Sequence, residues 1–118
     1  MNKKILVVDD DDDIREIIEF LLTQAGFRVS ICSNGKDIFR TIDRTRPDLI
    51  LLDIDLGEMD GRNICKAIKS NPETDSIPVI IVSAEENIYN TILDVGANDV
   101  IPKPFTEQVL LDRVYAFN

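Results

Sequence analysis

The chain alternates between two kinds of hydrophobic patterning. Three runs, Ile5-Leu6-Val7-Val8, Leu49-Ile50-Leu51-Leu52 and Val79-Ile80-Ile81-Val82, are apolar at every position. Uninterrupted apolar runs of strand length predict strands covered on both faces, as in a parallel sheet between helix layers. Phe27–Cys32 is a weaker strand in which Val29 and Ile31 alternate with Arg28 and Ser30, and Val100-Ile101 is a short fifth. Between the strands the apolar residues recur with a helical period. Ile14, Ile17, Ile18, Leu21, Leu22 and Ala25 follow the i, i+3, i+4, i+7 rule, and Gly26 stops that helix. Ile38, Phe39 and Ile42 mark a second helix, ended before Pro47, and Ile64, Ala67 and Ile68 a third, ended before Pro72. Ile88, Ile92, Leu93 and Val95 mark a fourth, closed by Gly96. Thr106 caps a fifth, with Phe105 and Leu110 as a hydrophobic staple and Val109 and Val114 on its buried face. The order is β-α repeated five times, which predicts an α/β domain with a parallel central sheet and right-handed crossovers. No repeat or linker interrupts it, so residues 1–118 read as one domain.

Charge and composition narrow the function. Lys and Arg number 13 against 22 Asp and Glu, a net charge of -9. Such a surface repels phosphate backbones and anionic membranes, so direct binding to nucleic acid or membrane is not expected. The chain has no histidine. That excludes a Ser-His-Asp triad, a His-ligated zinc and a phosphohistidine on this chain. Cys32 and Cys65 lie among apolar residues and read as small buried hydrophobes, not a disulfide framework. Lys3-Lys4 precede only four apolar residues, too few for a signal peptide, and no apolar run reaches transmembrane length. A reducing cytoplasmic setting is the expectation.

In open α/β sheets ligands bind beyond the carboxyl ends of the strands. The residues that follow the strands are Asp9 and Asp10, then Asp53, Ser83 and Lys103. Of the five consecutive acids Asp9–Asp13, Asp11, Asp12 and Asp13 suit the first turn of a helix, where the dipole favours negative charge. Asp9 and Asp10 end a buried strand, and carboxylates crowded there repel one another unless a cation intervenes. A hard cation such as Mg²⁺ (or Mn²⁺) suits a few carboxylates plus water and phosphate oxygens. Asp53 ends the most apolar strand, and the run from Asp53 to Gly61 keeps it on a loop before a helix that starts at or near Asp60. A carboxylate there can ligate the metal or attack phosphorus to form an acyl phosphate. Phosphoryl transfer needs its equatorial oxygens neutralised, and the Lys103 ammonium and the Ser83 hydroxyl are suited to that. Lys103 lies between Pro102 and Pro104, a rigid place for a lysine, and sequence leaves the Lys103–Pro104 bond open between cis and trans.

With these residues in place the chain resembles the receiver domain of bacterial two-component response regulators, the chemotaxis-regulator-like fold. The resemblance covers essentially the whole chain. It rests on Ile5–Asp10, on Pro47–Asp53 with Met59-Asp60-Gly61 after it, on Val82-Ser83-Ala84, on Gly96-Ala97 and on Lys103-Pro104-Phe105. It implies a flavodoxin-like three-layer sandwich: a doubly wound five-stranded parallel sheet in the order 2-1-3-4-5 with five helices. It also implies that Asp53 is the phosphoacceptor, with Asp10 and Asp53 direct Mg²⁺ ligands, Asp9 holding a metal-bound water, and Asp55 ligating through its backbone carbonyl. Ser83 matches the switch hydroxyl and Lys103 the lysine that pairs with a phosphoryl oxygen, followed in the family by a cis proline. The chain would then catalyse only its own phosphorylation and dephosphorylation. The donor would be a phosphohistidine on a sensor histidine kinase or histidine phosphotransfer protein, with an output domain or target protein downstream. Relatives dock that partner on the first helix, where Phe20 is a candidate contact.

Some positions depart from the family pattern. Val100 stands where an aromatic usually swings inward with the switch hydroxyl, so the signal should be carried differently or more weakly there. Gly57 replaces a usual proline, which predicts a looser loop, and the segment from Ser83 to Gly96 is about two residues shorter than usual. Asp55 and Glu85 match positions that tune water attack on the acyl phosphate. Two other readings compete. A degenerate receiver would act only as an interaction module. An Asp-nucleophile phosphatase of the haloacid dehalogenase type would use Asp53-Ile54-Asp55 as its D-x-D motif, but it usually carries that motif after its first strand and needs a larger chain.

Overall fold

The uninterrupted apolar runs form the centre of a parallel sheet in the computed structural model, which describes residues 3–117 apart from the side chains of Thr91 and Leu93. Residues 1, 2 and 118 of the expected domain, and the core place expected for Leu93, therefore lie outside the described residues. In chain order the elements are β1 (Lys4–Val8), α1 (Asp12–Gln24), β2 (Arg28–Cys32), α2 (Ile38–Thr45), β3 (Leu49–Asp53), β4 (Asp55–Leu56), β5 (Met59–Asp60), α3 (Gly61–Ser70), β6 (Val79–Ser83), α4 (Ile88–Val95), β7 (Asp99–Pro102) and α5 (Glu107–Tyr115). The main sheet has the order β2-β1-β3-β6-β7, with every neighbour parallel. Counting only its strands, this is the expected order 2-1-3-4-5. The small antiparallel pair β4-β5 was not legible in the hydrophobic pattern.

Side chains alternate between the two sheet faces, and each face has its own helix layer. Leu6, Val8, Ile50, Leu52, Val79, Ile81 and Val100 pack with Ile38 and Ile42 of α2, Ile64 and Ile68 of α3, and Ile88 and Val95 of α4. Ile5, Val7, Leu49, Leu51, Ile80, Val82 and Ile101 pack with Ile18 and Leu22 of α1 and Leu110 and Val114 of α5. Both cysteines are buried free thiols, Cys32 and Cys65. Not every apolar position expected inside is inside. Ile17 is 51% exposed and Phe39 38%, because each helix presents only a narrow stripe to the sheet. Ile31 is 42% exposed because β2 is an edge strand that the helix layers cover incompletely.

Local chemistry sets the element ends. The Asp11 carboxylate caps α1 by accepting from the N–H groups of Asp13 at 2.9 Å and Ile14 at 3.2 Å, with Asp12 and Asp13 in the first turn. Thr106 caps α5 through Val109 N–H at 3.2 Å. Gly96 ends α4 in the left-handed region at φ 78°. Gly57 also has positive φ, 69°, which a proline cannot adopt. It turns the tight β4-β5 hairpin, so the expected looser loop is in fact a paired one.

The register carries the strand ends to one edge. Val8 pairs with both Cys32 and Leu52, Asp53 with Val82, and Ser83 with Pro102. Gly61 locks the following helix against this edge. Its N–H donates to Ile54 O at 2.7 Å, and a Cβ there would stand 2.3 Å from the Asp53 carbonyl oxygen. No helix of the described residues is long and apolar enough to cross a membrane. Gly61→Ala therefore forces backbone apart at a packed site, and urea unfolding should show a loss of about 1–3 kcal/mol. An alanine variant as stable as the parent would refute this close-approach argument.

Candidate functional site

Every strand of the sheet points its carboxyl end at the same edge, and a cleft of ≈ 620 Å³ opens there. Asp10, Asp53, Asp55, Ser83, Glu85 and Lys103 are among the residues that line it. Asp9, Asp53 and Ser83 are buried, at 2%, 6% and 4% exposure, whereas Asp10 reaches solvent. Carboxylate oxygens of Asp9, Asp10 and Asp53 lie within 4.8 Å of one another. Lys103, the residue after β7, closes the group: its Nζ is 3.2 Å from Asp9 Oδ2 and 3.6 Å from Asp53 Oδ1.

Backbone positions these groups. Asp9 Oδ1 accepts the Asp11 N–H at 2.9 Å, and the Asp9 carbonyl accepts from Arg15 Nη1 at 2.9 Å. Asp53 Oδ1 accepts a long bond from Asp55 N–H at 3.4 Å. Ser83 Oγ accepts the Glu85 N–H at 3.1 Å, and Ser83 O accepts the Lys103 N–H at 2.8 Å, which ties the ends of β6 and β7 together. The Lys103–Pro104 peptide bond is cis.

The structure thus brings Asp9, Asp10, Asp53, Ser83 and Lys103 to one cleft, while the Asp55 side chain is exposed and outside the carboxylate trio. Sequence reading missed two residues. Arg15 steadies the Asp9 backbone from the first turns of α1. Arg62 pairs with Asp60 at 3.0 Å and with Glu85 across the cleft. Its partner is 23 residues away, so no local spacing announces the pair.

Residues 5–115 match the family model for the response regulator receiver domain. The chain belongs to that family. It is 33% identical over 115 residues to the response regulator MprA of Mycobacterium leprae, covering 96% of this chain and 50% of the relative. The chain spans about half the length of the curated relatives it matches. Among solved structures it resembles the chemotaxis response regulator CheY4 of Vibrio cholerae, with TM-score 0.92, 25% identity and full coverage of both chains. It also resembles the receiver domain of the sensor histidine kinase PA1611 from Pseudomonas aeruginosa, with TM-score 0.89 and 28% identity over 99% of this chain and 98% of that one. That domain has a magnesium ion coordinated in its active-site cleft. Receiver domains are phosphoacceptor signalling domains of two-component systems, which displaces the haloacid dehalogenase reading.

The donor set of this receiver domain fits a small hard cation. Three carboxylates converge, with no sulfur or imidazole among them. Burial, and then the neighbouring Asp9 charge, push the Asp53 carboxyl up from the ordinary 3.8 to about 6, against the lowering pull of Lys103. The fold thus binds this proton more tightly than the unfolded chain does. The associated stability is fully present below pH 3.8 and is lost as pH rises through about 6. Without divalent cations, Asp53→Asn should be more stable than the parent at pH 7.5 by about 1–3 kcal/mol. Thermal melts across pH should show that gap closing towards pH 4, and a gap independent of pH would disprove the assignment.

Proposed function

We propose that this chain is a phosphoryl-accepting switch of a two-component phosphorelay, with Asp53 as the acceptor. The observation that carries it is the convergence of a buried carboxylate, two further acids and one lysine ammonium at the carboxyl edge of the sheet. An Asp53 carboxylate oxygen attacks the phosphorus of a phosphohistidine. The P–N bond breaks, its electron pair stays with the imidazole of the partner, and an acyl phosphate remains on Asp53. Lys103, now shared between Asp9 and Asp53, supplies a positive charge for a phosphoryl oxygen, and Ser83 supplies a hydroxyl. Asp10 and Asp53 would hold Mg²⁺ (or Mn²⁺) directly, Asp9 through a water and Asp55 through its backbone carbonyl. When bound, the cation offsets the repulsion between the acids and neutralises charge on the transferring group. Residues 1–118 act as one such domain, in the cytoplasm, and catalyse only their own phosphorylation and dephosphorylation.

The chain lacks histidine, so the donor imidazole comes from a sensor histidine kinase or a histidine phosphotransfer protein. The surface beside the cleft supports that reading. Ile17 and Phe20 of α1 are 51% and 62% exposed, and Ile14, Ile17, Pro104 and Phe105 line an apolar hollow that borders Lys103. An output domain or target protein then reads the phosphorylated state.

Incubation with Mg²⁺ and acetyl phosphate, followed by intact-mass measurement, should show one added phosphoryl group. The group should be labile to hydroxylamine and absent from Asp53→Asn. An unchanged parent mass would leave only the reading as an interaction module. The output path generates a further expectation. Val100 is fully buried in the sheet and has no ring to rotate, and Arg113 of α5 bonds its carbonyl and pairs with Asp99 at 3.1 Å. On binding beryllofluoride, amide chemical shifts at Val100 should change less than those in the cleft; changes of equal size would contradict this.

A further inference from the structure

Arg62 and Glu85 both line the cleft, and the ion pair between them joins the start of α3 to the segment after β6. Arg62 is the second residue of α3. Asp60, the cap of that helix, accepts the Arg62 N–H at 2.9 Å through Oδ1 and the Arg62 guanidinium at 3.0 Å through Oδ2. Gly61 beside it is pressed against the Asp53 carbonyl, so the base of the arginine is fixed relative to the acceptor strand. The other arm of the guanidinium bonds the Glu85 carboxylate. Glu85 lies two residues beyond Ser83, and its N–H is the donor to Ser83 Oγ at 3.1 Å. A continuous set of bonds therefore runs from Asp60 through Arg62 and Glu85 to the Ser83 hydroxyl.

We propose that the Arg62–Glu85 pair is a strap that holds Ser83 in its resting position, making Arg62 a positioning residue that slows phosphoryl acceptance. The proposal rests on the reading of Asp53 as acceptor and goes beyond it. A shift of the Ser83 hydroxyl towards a phosphoryl group on Asp53 carries the 83–85 backbone with it and works against the pair. The strap is weak by construction. The Arg62 and Glu85 side chains are 31% and 50% exposed, so water and salt screen their attraction. It biases the switch by a few-fold and does not block it.

The test separates the strap from the plain electrostatic field of the cleft. Removing the Arg62 charge makes the cleft more negative, and removing the Glu85 charge makes it less negative. A field effect on an anionic donor therefore changes the rate in opposite directions in the two variants, whereas loss of the strap accelerates both. The initial rate of phosphorylation of the full chain by acetyl phosphate with Mg²⁺, read by intact mass, should rise about 2- to 5-fold at low salt in both Arg62→Gln and Glu85→Gln. The double variant should be no faster than either single one. Arg62→Lys should restore a rate near that of the parent, and the ratio of variant to parent should shrink as sodium chloride is added. Glu85→Gln leaves the start of α3 intact, so it tests the strap even if Arg62→Gln disturbs the helix. Opposite changes in the two variants, or parent-like rates in both, would overturn the strap while leaving the acceptor reading in place. A parent chain that gains no phosphoryl group would overturn the acceptor reading and the strap with it.

Discussion

Three carboxylates at the end of a dry sheet repel one another, and the rest of the site is arranged around that repulsion. Asp9 and Asp53 are both buried, and their oxygens lie within 4.8 Å of each other and of Asp10. In a medium less polar than water such charges cannot simply coexist. Part of the strain is met within the chain. Lys103 reaches between Asp9 and Asp53, and backbone N–H groups of Asp11 and Asp55 donate to the same two side chains. The remainder appears as the raised proton affinity of Asp53. A carboxylate held this way is suited to a cation, which relieves the repulsion that burial imposes.

The surrounding scaffold is stiff where the site needs precision. Asp53 ends β3, which has neighbours on both sides and helices on both faces, so all five of its residues are buried. Asp9 follows β1, another inner strand, whose residues 5–8 are buried. Ser83 and Lys103 belong to the ends of β6 and β7, and a backbone hydrogen bond joins them. The segment after Ser83 is held differently. It is exposed from Ala84 to Asn87, and α4 begins at Ile88 without a side-chain cap bond. A rigid floor of acids beneath a lightly tethered hydroxyl suits the proposed switch, in which the domain takes up a group and then changes shape. In the proposed switch, the short α4 and a β7 without an aromatic residue would limit how that change spreads, since Val100 offers packing but no rotating ring.

The hydrophobic pattern determined most of the architecture. Runs apolar at every position could only be strands covered twice, and the helical periods between them required crossovers, which together allow little besides a parallel α/β sheet. The candidate site was legible for the same reason, because strand ends in such a sheet share an edge and the residues there were acids, a serine and a lysine. The place of Asp11, Asp12 and Asp13 at the start of the first helix also followed from local chemistry, and the structure made Asp11 its cap. What the sequence left open depends on contacts between distant residues. The exposure of Ile17 and Ile31 follows from how far the neighbouring layers reach, and the β4-β5 hairpin from pairing over a few residues with no hydrophobic period. The raised pKa of Asp53 needs the crowding of three side chains, and the Arg62–Glu85 pair needs the start of α3 and the segment after β6 brought together from 23 residues apart. Periodicity and strand-end chemistry are local and survive in one dimension, whereas burial, charge crowding and ion pairing are properties of distance, which only the folded chain defines.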